Sequence, residues 1–213
     1  MASGDTKLSI CSDALIMLGA SPLSSFSEGT DSAQVCDRLY DDIYETVLAM
    51  YPWNFSYRKE QLARTTSTPV TEWKYEYQLP SSSIGSGVRA LFTTTSTGAR
   101  PVNEGWEILE DKLLTNFETV YVDFQFRPSE AVLPTYFIQL LKYWMAWHIA
   151  EPVTDQITKG DYYKTLAVGA PSENNRGGAF RQAAIINGQN QPNQVIEDFD
   201  LINVKTSSDT NKF

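Results

Sequence analysis

His148 is the chain's single histidine, and Cys11 and Cys36 are its only cysteines. A nucleophilic triad needs a His held between a Ser or Cys and an acid. His148 lies between Trp147 and Ile149 in an apolar helical run, where it reads as a core or interface residue. Each cysteine falls on the apolar side of a helical pattern and reads as a buried free thiol. A zinc site or disulfide framework needs more Cys or His at ligand spacing. A carboxylate pair in opposed environments can cleave a glycosidic bond. Glu72, Glu76 and Asp123 fall on strand patterns, and Asp37, Asp41, Asp42 and Glu45 on one helix face. Nothing in the sequence sets any two of them apart, so they read as solvated acidic surface. EDFD at residues 197–200 lacks the Gly turn of a calcium loop. GSG at residues 85–87 opens no helix and cradles no phosphate. No metal and no cofactor are expected.

Composition sets the class. With 213 residues and 42% hydrophobic content, the chain can form one globular unit with a real core. Its formal charge of −9 is wrong for gripping nucleic acid, which takes clustered Lys and Arg. An acidic wall would instead let a duplex slide past. The first residues, MASGDTKLSICSDALIMLG, contain no continuous apolar stretch, and no run reaches the roughly 18 apolar residues of a membrane span. A soluble protein made in a cytoplasm, with no membrane partner, is expected.

Two periods divide the chain. Helical spacing covers residues 6–18, with Asp5 or Thr6 as cap and Gly19 as stop. It returns over residues 32–50, with Asp31 and Gln34 as a capping-box variant. Val35, Leu39, Ile43, Val47 and Met50 step along one face, widened by Cys36 and Tyr40. Pro52 ends that helix. From Trp53 the period becomes 2, with Trp53, Phe55 and Tyr57 on one side of a predicted strand. EWKYEYQLP, closed by the following SSSIGSG, repeats the alternation. VRALF, two short strands around Glu110 and Asp111, and TVYVDFQFRP complete it. Short linkers allow only antiparallel pairing. The aromatic rows could stack on sugar or single-stranded nucleic acid. Their alternation with polar residues fits better a sheet with one face packed on helices.

Pro134 opens a third helix at its first position, expected to stop at Ala150 before Pro152. Tyr136, Phe137, Leu140, Leu141, Trp144, Trp147 and His148 fill its circumference. It must be buried in the subunit or against a neighbour. A fourth helix over residues 154–168 turns Ile157 and Leu166 inward, and a fifth covers 179–186. The remainder is rich in Gln and Asn yet carries Val195, Ile196, Phe199, Leu201, Ile202 and Val204, a composition suited to ordering on a partner. The expected fold is α+β: a helical bundle from residues 1–52 and 131–190, an inserted antiparallel β domain at 53–130, and an extended C-terminal tail at 191–213.

One set of phrases carries a resemblance. LGASPLSSF, then DSAQVCDRLYDDIYETVLAMYPWNF, then YRKEQLAR, with WKYEYQLP and the late VIEDFDLI, is similar to the head-to-tail adaptor proteins of tailed bacteriophages, of the tail tubular protein A kind. The likeness runs over about residues 7–204. It departs at GAPSENNRGGAF, where that family continues a long helix. The resemblance implies a non-enzymatic virion protein at the head–tail connector. It implies a ring homo-oligomer, commonly a dodecamer, docked under the portal protein. Such a ring receives a nozzle or other tail protein below and conducts DNA during ejection. The 195–204 segment is then the portal contact through Val195, Ile196, Phe199, Leu201, Ile202 and Val204. Asp37, Asp41, Asp42, Glu45, Trp144 and Trp147 are candidates for a subunit interface or channel face. Some adaptor relatives are credited with wall or polysaccharide hydrolysis, so the alternative function is a tail-borne hydrolase.

Overall fold

The computed structural model describes residues 4–67 and 69–189 and has the α+β fold expected. Helix α1 (Lys7–Leu18) starts with a reciprocal cap: the Ser9 amide donates to Thr6 Oγ1 at 3.2 Å and the Thr6 amide to Ser9 Oγ at 2.9 Å. Gly19 ends it at φ 78°, a left-handed geometry that suits glycine. Helix α2 (Asp31–Ala49) is capped by Thr30, one residue before the expected Asp31, with Oγ1 accepting from the Ala33 amide at 3.3 Å. Its buried face is rotated from the expected one. Cys36, Tyr40, Ile43, Tyr44, Val47 and Leu48 are buried, Val35 and Leu39 are half-buried, and Met50 is exposed. The two tyrosines decide this, since Tyr40 packs on Tyr44 and Tyr44 on Phe137.

The predicted strand at Trp53 is a correction. Asn54–Ser56 form a 3-10 turn, and β1 (Tyr57–Gln61) begins only after it. Trp53 and Phe55 share a side here because both pack on Phe137, not because of strand alternation. Strands β2 (Tyr75–Gln78), β3 (Ser83–Phe92), β4 (Trp106–Leu109), β5 (Lys112–Thr115) and β6 (Tyr121–Phe126) follow. They form two antiparallel three-stranded sheets, β1-β6-β3 and β2-β5-β4. Strand β3 starts at Ser83, inside the segment expected to close β2, and its register against β6 shifts on either side of Val88. The β4–β5 turn falls at Glu110 as expected, with φ 56°.

Helix α3 (Thr135–Thr154) takes Pro134 as its cap and continues through Pro152, against expectation. A proline so near the end deprives only the carbonyl four residues back of its donor. The Asp155 amide still closes on Glu151 O at 3.0 Å, and Thr154 Oγ1 on Ala150 O at 2.6 Å. Helices α1, α2, α4 (Ile157–Val168) and α5 (Gly178–Gln189) all pack against α3. The apolar circumference of α3 is thus largely covered within the chain. Helix α4 faces inward with Gly160, Ala167 and Val168, whereas Ile157 is 64% exposed and Leu166 half-buried. Gly160 faces α3, and a Cβ there would meet Ala150 Cβ at 3.5 Å, an ordinary contact that an alanine could also make. At Gly178 (φ +52°) a Cβ would sit 2.5 Å from Leu166 O, so only glycine lets α5 start against the end of α4.

Candidate interaction surfaces

The stretch that joins bundle to sheets is held by an aromatic cluster. Trp53 is wholly buried, its indole N–H donating to Val47 O at 3.1 Å. Its ring meets Tyr51 (4.8 Å between centroids), Phe137 (5.2 Å), Phe55 (6.0 Å) and Phe180 (6.0 Å). Gln125 of β6 reaches across the seam, with Nε2 donating to Leu48 O at 2.8 Å and to Ser56 Oγ at 3.1 Å. Asn187 ties α5 to the same place. Its Oδ1 accepts from the Asn54 amide at 3.0 Å, and its carbonyl from Asn54 Nδ2 at 2.9 Å. Neither polar residue stood out in the sequence. Each is one amide among many, and only the buried seam gives it partners.

The acidic face of α2 is largely neutralised inside the chain. Lys7 pairs with Asp37 at 2.8 Å and Asp41 at 3.2 Å. Arg127, just past β6, reaches Asp41 at 2.5 Å, Glu130 at 3.4 Å and Glu45 at 3.5 Å. Against the burial that would raise it, Arg127 and Lys7 hold the Asp41 carboxyl below its usual range. Asp42 is exposed. Three of the four predicted acidic residues thus fasten α1, α2 and the sheet exit together on the surface.

Trp144 is 6% exposed and belongs to the bundle core, which leaves it little area to offer a neighbour. Trp147 is half-buried under Lys164, whose ammonium lies 5.2 Å from the ring centre. His148 is on the outer side of α3, so of the core or interface positions expected for it the core one does not hold. Its ring packs 4.3 Å from Trp147, and the loss of water around that ring lowers its pKa despite a 2.9 Å contact from Nδ1 to Trp144 O. Exposed apolar side chains sit elsewhere on the bundle: Ile16 (55%) on α1, and Ile157 and Tyr162 (60%) on α4. These two helices are bridged by Tyr163 to Met17 O and Lys159 to Leu18 O, both 2.6 Å.

A groove of about 490 Å³ opens where α5 meets the end of α2. Met50, Tyr51, Pro52, Phe180, Ala184 and Ile185 line it, with Arg176 and Arg181 at its border. The expected chemistry is otherwise quiet. Both cysteines are free and buried, and the hydrogen bond with Cys36, then burial, pushes the Cys11 thiol up. Glu76 is held by Lys112 at 3.0 Å, and Asp123 by Lys59 at 3.6 Å, while Glu72 is exposed. Among the described residues, no three His, Cys, Asp or Glu side chains cluster to hold a metal, and no helix is long and apolar enough to cross a membrane. The predicted portal contact, Val195, Ile196, Phe199, Leu201, Ile202 and Val204, lies outside the described residues.

No protein-family model matches the chain, and no curated protein matches it. Among solved structures it is similar to a chain from the neck of an empty GTA particle, computed with C6 symmetry. The identity is 17%, over 73% of this chain and 86% of that one, with a TM-score of 0.28.

Proposed function

We propose that the protein is a structural virion component, a head-to-tail adaptor. It assembles as a ring, commonly a dodecamer, beneath the portal and extends the DNA channel toward the tail. The observation that carries the reading is the adaptor-like run from LGASPLSSF to YRKEQLAR. In the fold this run spans the end of α1, all of α2, the Trp53 joint that fixes the sheets to the bundle, and β1. Support comes also from Ile16, Ile157 and Tyr162, exposed apolar residues of the kind that pack between neighbouring subunits. Trp147 and the outer side of α2, with Asp42, are placed at the subunit interface or channel. The protein is not an enzyme in this reading; it offers DNA an acidic, non-gripping wall.

The test is particle mass and negative-stain shape, alone and with the portal protein. A ring with a central hole in either condition is the expected result. A monomer in both would overturn the proposal. Truncation after Gln194 should abolish portal docking and leave the fold intact by circular dichroism; undiminished docking would sink the portal role of residues 195–204. Clearing of cell-wall or capsule substrate by purified protein, lost on replacing single Glu or Asp residues, would favour the hydrolase instead.

A further inference from the structure

The groove between α5 and the end of α2 is an apolar surface of the bundle with exposed side chains of its own. Ile185 is 52% exposed, Met50 37%, and Ile186 beside them 40%. Its floor is formed by Phe180, which packs edge-on to Tyr51 and Trp53, so the groove backs directly onto the aromatic joint. Arg176 and Arg181 border it, and among the described residues neither guanidinium has a carboxylate within ion-pairing distance. An apolar trough with two such arginines calls for an occupant with apolar anchors and interleaved negative charge.

The chain itself contains that occupant. Residues 195–202 read VIEDFDLI: Val195, Ile196, Phe199, Leu201 and Ile202 supply anchors, and Glu197, Asp198 and Asp200 supply charge. The segment is also within reach. Gln189 ends α5, one turn beyond Ile185, and the six peptide steps from Gln189 to Val195 span up to about 20 Å. The distance back along the helix from Gln189 to Phe180 is only about 14 Å. We propose that residues 195–202 dock in cis into this groove, with apolar side chains against Met50, Phe180 and Ile185 and acidic side chains against Arg176 and Arg181. The inference does not rest on the adaptor reading. It gives the segment a seat on its own subunit before any partner is met.

The experiment uses the full-length protein with a benzophenone photo-cross-linker in place of Phe199. Illumination at low concentration should yield cross-links from position 199 to Met50, Phe180 or Ile185 within one chain, on a band of monomer mass. Arg176→Glu together with Arg181→Glu should cut that yield about tenfold, since like charges then face each other. Both arginines are exposed, so the fold should hold, and circular dichroism checks it. Adding Glu197→Lys, Asp198→Lys and Asp200→Lys to the reversed arginines should restore the yield. Cross-links between chains would overturn docking in cis and hand the groove to a second copy. Cross-links scattered away from the groove, or a yield indifferent to the charge reversals, would overturn the proposal outright.

Discussion

The bundle core and the core between the sheets are held by different means. Four helices meet around α3 through side chains that are almost all apolar, from Ile10 and Leu15 to Phe137, Leu141 and Ile149. The sheet core is smaller, centred on Leu62, Tyr77, Leu91, Leu113, Val122 and Phe124, and leans on polar ties. Tyr77 donates to Phe117 O and Glu118 O at 2.8 and 2.6 Å, and Thr115 to Gly105 O at 2.7 Å. The bundle has the larger filled volume, and the smaller sheet core has fewer apolar side chains beside its hydrogen bonds. Damage in one place should therefore read out differently from damage in the other.

The sharpest break is Trp53→Ala. Trp53 is packed on all sides, so its loss should cost about 3–5 kcal/mol and lower the urea midpoint of the whole chain. A neutral result would return the joint to the surface. Next comes Gln125→Ala at the seam. It strands Leu48 O, while Ser56 Oγ keeps its bond to Trp53 O, for about 1–3 kcal/mol, and hydrogen exchange should then show the sheets losing protection before the bundle. Equal loss in both would mean the two cores do not separate. Tyr40→Phe tests the bundle from the other side. The Tyr40 hydroxyl is buried with no hydrogen-bond partner among the described residues, so its removal should be neutral or stabilising by up to about 1 kcal/mol. A clear loss would add Tyr40 to the buried polar ties that Tyr44 and Trp53 make in the bundle. Smallest is the surface network. The pKa of Asp41 is lowered in the fold, so its contribution is present above the unfolded value of about 4 and is lost as pH falls through the lower folded value. Asp41→Asn should flatten stability against pH in that acid range by under about 1 kcal/mol, the half-exposed pair being screened. An unchanged acid slope would show the network to be idle.

Much of this architecture was legible because single elements announce themselves. Period 3.6 marked α1 and α2, Gly19 and Pro52 marked their ends, and alternation marked β2 and β6. What the sequence hid was set by neighbours. Ile157 was expected inward because it is apolar, yet small residues, Gly160 and Ala167, face α3 and the core. Trp53 was expected buried, and is, but on the helices instead of on a strand. For the candidate surfaces, charge spacing located the acidic face of α2. Only the fold showed that Lys7 and Arg127 already occupy most of it.

The register of β1 against β6 sets Tyr57 directly across from Gln125. The chain therefore departs from the helices and comes back to them at neighbouring points, about 5 Å apart across one strand pair. Everything from residue 58 to residue 124 is, in effect, a cassette plugged into a fixed socket. Replacing it with a two-residue hairpin turn should span the gap, at the cost of the contact that Ile84 of β3 makes with the bundle core. By the same geometry, a different β cassette could be carried on this socket while the bundle kept its own neighbours.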